Sequence, residues 1–348
     1  MMRRATLQLE QWPHADRLLW EGLTRKGGPF DDQGALAHLR APTLNLMAVA
    51  YGRWLSWIAS ACPEVLVTAP VGRVTPERLR AWCDQLGELA PASRHMLVNQ
   101  ALRVLMAAFP ERDWHKCRRL IAYLEHDVKE HLSDRKQGRI LSSTVLLNSA
   151  LQLAGPEADA ARTKIAQMKS RRDGCLLAFL ALVPLRRRAM AALELGKSMI
   201  LTRSTILISL TEDMTKSGNP WQTEIPTQIL PLMHRYIEEV RPWLLEQHQQ
   251  AHDMLWVTDK GQPLTENYLS AKVRRITYRL YGIEIPPHFF RDAAATTLAR
   301  VSPERSRLIR PLLGHSSHAT AERFYNHANT LDAARDYAKA VNAMRKGS

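Results

Sequence analysis

With 348 residues, 45% of them apolar, the chain is long enough for two globular domains and too apolar to be disordered. Lysine and arginine outnumber aspartate and glutamate by 48 to 34, and the net charge of +14 favours a polyanionic partner without identifying it. The longest apolar run, Cys175 to Leu185, is too short to span a bilayer, so no membrane partner is expected.

In chain order, residues 1–40 are mixed and turn-rich and read as an N-terminal arm or lead-in segment. Residues 41–132 read as a compact helical domain. Thr43 can cap its first helix, and Thr75-Pro76-Glu77 opens a second with proline at the first helical position. Ser93 starts a third, and Trp114 to Glu130 forms a fourth. The polar, glycine-marked stretch Ser133-Asp-Arg-Lys-Gln-Gly-Arg139 places a linker at 133–142. A second domain over 143–330 opens with helical patterns at Thr144–Leu153, Pro156–Lys169 and Cys175–Leu185. Short strands are expected at Met199–Leu201, Thr205–Ile208 and Gln222–Ile225, the last two flanking the turn Met214 to Pro220. Helices follow at Thr227–His248, Thr265–Tyr281, Phe289–Arg300, Pro303–Leu313 and Ala319–Tyr325, with a tail helix over 331–348. The fold class is therefore mainly α with a small antiparallel β-sheet.

The cysteines, Cys62, Cys83, Cys117 and Cys175, are scattered, with no C-x-x-C pair. They fit a reducing cytoplasm and read as small buried apolar residues rather than nucleophiles. The N-terminus has no apolar signal core, so nothing in it points to export.

The chemistry gathers in the second half. Arg186 ends the apolar run and heads a triple arginine, where one guanidinium can be aimed inward as a bidentate phosphate clamp. Lys216 sits on the expected β-turn, from which a lysine can reach a site and donate a proton to a leaving oxygen. His288 and Arg291 follow Pro286-Pro287 and share one helical face, so both can reach one anionic group. His315 follows Gly314 at the end of an apolar run, and Tyr325 lies ten residues further on. Each has a bland alternative when taken singly: a solvated charge run, an exposed turn lysine, a helix-capping histidine, a surface salt bridge. Together they suit attack on a phosphodiester, whose charge must be cancelled and which a tyrosine can hold covalently. His315, His318 and His327 lie close in sequence, but no Glu or Cys accompanies them at ligand spacing, so no metal is expected. Of the other tyrosines, Tyr51, Tyr123, Tyr236, Tyr268, Tyr278 and Tyr337 fit apolar helical stripes and read as core or interface residues.

Arg, Lys, His-x-x-Arg, Gly-His and Tyr in this order resemble the tyrosine recombinase (phage integrase) family. Leu313-Gly-His-Ser-Ser317 is similar to the family's L-G-H-x-S box, Arg291 through Ala295-Thr296 to its R-H-x-x-A-T stretch, and Pro184-Leu185-Arg186 to its first-arginine box. The resemblance implies a two-domain DNA clamp: a helical core-binding domain and an α+β integrase-type catalytic domain. It also implies roles. Arg186 and Arg291 would bind the non-bridging oxygens of the scissile phosphate. His288 and His315 would hydrogen-bond the same group or handle protons. Lys216 would protonate the departing 5′ oxygen, and Tyr325 would attack to give a 3′-phosphotyrosyl enzyme. Bond energy is conserved, so no cofactor is implied. The implied partners are double-stranded DNA and a homo-oligomer, a tetramer on paired sites, with room for an accessory directionality protein. The implied setting is the cytoplasm, at the nucleoid, and the implied role is site-specific recombination for a mobile element. The rival readings are a type IB topoisomerase and a non-cutting DNA-binding protein of the same fold. The sequence departs from the family pattern at Ala189 (usually Glu), Phe290 (usually Leu) and Asp292 (usually His), and its His315-to-Tyr325 spacing is one residue longer than is commonest.

Overall fold

The computed structural model describes residues 6–131, 138–202, 204–216 and 218–301. Contacts divide the chain into two compact units, Met1–Ser133 and Asp134–Ser348. The expected helices beyond Pro303, including the tail helix, lie outside the described residues.

The first unit holds α1 (His14–Thr24), α2 (Ala41–Ala61), α3 (Pro76–Gln85), α4 (Pro91–Ala108) and α5 (His115–Glu130). Local chemistry sets their starts. Thr75 Oγ1 accepts from the Arg78 backbone N–H at 3.3 Å, capping α3 as expected. Two starts differ from the expectation, because a proline in the first turn has a preset φ and no N–H to satisfy. Pro42 opens α2 where Thr43 was expected to cap, and Pro91 opens α4 ahead of Ser93. Residues of the 1–40 segment belong to this unit's core: Trp12, Trp20, Leu23 and Leu36 are buried with Tyr51, Trp54 and Trp82. A fully buried ion pair ties them in. Arg73 donates to Asp16 at 2.7 Å, and Tyr51 Oη donates to the other carboxylate oxygen at 2.6 Å.

The second unit is built around α8 (Lys164–Leu182). Before it come α6 (Ser143–Ala154) and the single turn α7 (Pro156–Asp159). Two helices were expected at Pro156–Lys169 and Cys175–Leu185. The chain instead breaks after α7 and runs through both patterns as one helix, because Thr163 Oγ1 caps a fresh start by accepting from Ala166 N at 3.3 Å. From Gly174 to Ala181 every residue of α8 is buried, which explains why the stretch is apolar all round. Pro184 ends the helix, since the residue before a proline is pushed out of the α region; Val183 sits at φ −124°.

After α9 (Arg187–Ala191), the strands β1 (Met199–Leu201), β2 (Ile206–Leu210) and β3 (Trp221–Glu224) form an antiparallel sheet in the order β1-β2-β3. Met199 opposes Ile208, and Leu210 opposes Trp221. Met199, Ile206, Ile208 and Leu210 turn into the core. The single helix expected at Thr227–His248 is α10 (Leu230–Arg235) and α11 (Arg241–Glu246), joined by a π-helical stretch at Tyr236–Val240. Pro242 can make no i→i−4 bond, and the wider π register ahead of it absorbs the mismatch. α12 (Glu266–Tyr281) falls on the helix expected at Thr265–Tyr281, with Thr265 as its N-cap, and ends on Gly282, whose φ of +69° only glycine adopts freely. α13 (Pro287–Val301) begins on the second proline of Pro286-Pro287. All four cysteines are free; burial pushes the Cys83 thiol up to about 11 and raises Cys117 and Cys175, in keeping with their reading as packing residues.

α6 crosses α8 so closely that a Cβ on Gly174 would lie 2.5 Å from the Ala150 carbonyl oxygen and 2.6 Å from the Ala154 nitrogen. Helix propensity alone would make Gly174→Ala stabilising by about 1 kcal/mol. The backbone clash reverses the sign, and urea unfolding should show a loss of about 1–3 kcal/mol. A stabilised variant would contradict this packing.

Candidate active site

The end of α8 and the start of α13 meet at one hydrogen bond. Arg291 Nη1 donates to the Pro184 carbonyl oxygen at 2.6 Å. Pro184 belongs to the tight turn that ends α8, closed by a 2.7 Å contact from Leu185 N to Val183 O. That turn delivers Arg186 to the N-cap position of α9. Arg291 therefore grips the backbone two residues before Arg186, and the two guanidinium groups feel each other. Burial, then the charge of Arg186, pushes Arg291 down to about 10, with the neighbouring Asp292 carboxylate opposing. Burial likewise lowers Arg186. Two guanidiniums held close at partly buried positions are an arrangement that an anion would relieve.

The triple arginine divides by exposure. Arg186 is partly buried, whereas Arg187 and Arg188 are exposed, and Arg187 forms a 3.3 Å surface pair with Glu266. His288 stands exposed on the first turn of α13, its ring edge-on to the buried Phe289 at 4.6 Å between centroids. Phe289 N donates to Pro286 O at 2.9 Å, so the proline pair sets the start of the helix as expected. Lys216 is exposed in the β2–β3 turn. His315 and Tyr325 lie outside the described residues. The structure thus brings together Arg186 and Arg291, sets His288 one turn ahead of Arg291, and puts Lys216 on a separate hairpin.

The other tyrosines sort by exposure. Tyr51 and Tyr236 are buried, and burial raises both phenols, a shift Asp16 adds to at Tyr51. Tyr123, Tyr268 and Tyr278 are 70%, 40% and 60% exposed, so the expectation of apolar stripes does not make them core residues. Spacing put them on regular stripes, but their exposed rings lie off the buried face of their helices.

One charged layer escaped the sequence reading. Arg172, fully buried in α8, pairs with Asp173 at 2.8 Å and with Asp259 at 2.6 Å, and Lys272 of α12 reaches Asp173 at 3.2 Å. Burial opposes ionisation of Asp259, yet Arg172 and Lys272 overcome it and hold the carboxyl well below its usual range. The signal was present in Arg171-Arg172-Asp173, a charged step directly before the apolar stretch of α8, but its partners lie far along the chain. The network joins α8 to α12 and the turn at Asp259, and so fixes the helix that leads into the Pro184 turn and Arg186.

If the two arginines form an anion site, inorganic phosphate should stabilise the protein by about 1.4 kcal/mol at ten times its Kd. Arg186→Ala and Arg291→Ala should each lose that increment in thermal unfolding. Equal stabilisation of wild type and both variants would contradict the site.

A family model for the phage integrase family matches residues 157–331. Tyrosine recombinase XerC 2 of Ralstonia nicotianae is 25% identical over 282 residues, which cover 75% of this chain and 77% of that protein. Among solved structures, the XerH site-specific recombinase bound to its difH substrate in a pre-cleavage complex is 17% identical with a TM-score of 0.54, the match covering 92% of this chain and 93% of that one. Its post-cleavage complex on a palindromic difH substrate gives 0.56 at 17% identity, with 84% and 78% covered. These structures share the fold seen here: mainly helical, with a small antiparallel sheet. The paired arginines, the proline-led His-x-x-Arg helix and the hairpin lysine all fall inside the matched span, and the chain belongs to the phage integrase family of tyrosine recombinases, enzymes that break and rejoin DNA strands.

Proposed function

We propose that the protein is a site-specific DNA recombinase that cuts and rejoins double-stranded DNA through a 3′-phosphotyrosyl intermediate, for integration or excision of a mobile element. The observation that carries the reading is the hydrogen bond from Arg291 to the Pro184 carbonyl, which puts Arg291 on the turn leading into Arg186, close enough for the Arg186 charge to bear on it. A phosphodiester bears one negative charge, and attack on it builds more on the non-bridging oxygens. Two guanidiniums cancel that charge, and their forks match the oxygens geometrically.

In this mechanism Tyr325 Oη forms a bond to phosphorus as the bond to the 5′ oxygen breaks. An unassisted phenol, with a reference pKa near 10, is a poor nucleophile, so the cationic cluster supplies much of the acceleration. Lys216, on its hairpin, protonates the leaving 5′ oxygen. His288 and His315 hydrogen-bond the phosphate or carry protons around it. Attack by the 5′-hydroxyl of another strand then reverses the chemistry and frees the tyrosine. Each bond broken is matched by one of the same kind formed, so the exchange needs no outside energy source. Strand exchange between two sites calls for several active sites at once, which is the basis for a tetramer on paired DNA. Among the described residues no helix is long and apolar enough to cross a membrane, and a DNA partner fits a cytoplasmic, nucleoid-associated protein.

The test is covalent capture on nicked duplexes tiled across the DNA flanking the gene, resolved on a denaturing gel. Wild type should give a protein–DNA band on one tile, and Tyr325→Phe should give none while binding the same duplex. A band that survives Tyr325→Phe would remove Tyr325 from its role. Tight binding without any band would favour a non-cutting DNA-binding protein.

A further inference from the structure

α13 carries His288 and Arg291, and the segment just before α6 lies strapped along it. Arg139 Nε donates to the Glu284 carbonyl oxygen at 3.0 Å, and its Nη2 donates to the same oxygen. The same guanidinium sits over the Phe289 ring, with Cζ 5.2 Å from the centroid. Further on, Ser143 N donates to Thr297 Oγ1 at 3.2 Å, and Thr297 Oγ1 to Ser143 Oγ at 3.4 Å. On the opposite flank the turn into α13 is held from α12, where Thr277 Oγ1 accepts from Ile285 N at 2.9 Å. The Phe289 ring in turn meets the His288 imidazole edge-on at 4.6 Å and 86°.

A cation over a ring face and a second ring set perpendicular to it are both favourable placements on an aromatic quadrupole. Arg139 therefore fixes the Phe289 plane, and the Phe289 plane restricts the imidazole. We propose that Arg139 is a positioning residue for His288, acting through Phe289 and the Glu284 carbonyl, so that the end of the expected 133–142 linker sets the orientation of a phosphate-binding histidine. The proposal rests on the reading of His288 given above. Lysine could keep the charge and one hydrogen bond but not the planar fork that spans the carbonyl and the ring.

Two measurements test it. In protein labelled with 13C-histidine, the His288 ring signal is identified by its loss in His288→Gln. Arg139→Ala and Phe289→Leu should both move that signal, and Arg139→Lys should move it less. A His288 signal unchanged in Arg139→Ala overturns the proposal without any DNA. The second measurement is single-turnover cleavage of the duplex captured through Tyr325. Arg139→Ala should slow cleavage by about ten- to a hundredfold with DNA affinity little changed. In the His288→Gln background the same substitution should cost nothing further. Losses that multiply would show Arg139 acting elsewhere and overturn the proposal. Wild-type cleavage by His288→Gln would instead sink the role of His288, and with it any catalytic purpose for the strap. Phe289→Leu supplies the same two readings if Arg139→Ala does not fold.

Discussion

The hydrogen bond from Arg291 to the Pro184 carbonyl is the constraint on which the second unit's function depends. It joins two segments 107 residues apart in sequence, and at that junction two guanidiniums come close despite their repulsion. A bound anion would balance both charges. The surroundings hold the junction: Pro184 ends α8 sharply, α8 is buried from Arg172 to Ala181, and α13 is held from both flanks. Functional sites commonly store unfavourable electrostatics in this way, and the surrounding core over-determines the geometry.

The same logic runs outward from the pair. α8 is anchored by the close approach at Gly174 on one side and by the Arg172, Asp173, Asp259 and Lys272 network on another. A buried network of this kind adds little net stability over apolar packing, but losing one member would leave another charge stranded. Its value here is in fixing orientation: it locks α8 against α12, and α12 supports the turn that launches α13. The segment that leads to Arg186 is thus fixed in part by charges elsewhere on α8 and α12.

Much of this was legible in the sequence, and the reasons differ by element. The three strands announced themselves by a change of period after Gly196, and the cap at Thr75 by a side chain that does one job at helix starts. Arg186, His288 and Arg291 could be named because their neighbours are local: an apolar helix before one and a proline pair before the others. What stayed hidden was set by tertiary context. Thr43 and Ser93 looked like caps, but Pro42 and Pro91 open those helices. The break at Thr163 could not be told from a continuous helical pattern. Asp259, Lys272 and the Pro184 carbonyl take their meaning from partners distant in the chain, and so does Arg139, which read as one more charge in a linker. Tyr123, Tyr268 and Tyr278 kept helical spacing while facing solvent, a distinction that periodicity alone does not make.

The central claim is that Arg186 and Arg291 act by cancelling phosphate charge, and it is tested most directly by removing that charge from the substrate. The measurement is the single-turnover cleavage rate of wild type and Arg291→Ala on a duplex with either an ordinary phosphate or a neutral methylphosphonate at the scissile position. On phosphate the substitution should cost about a hundred- to a thousandfold. On methylphosphonate, where little charge remains to be balanced, most of that loss should vanish. An equal loss on both substrates would show that Arg291 does something other than neutralise the phosphate, and would contradict the account.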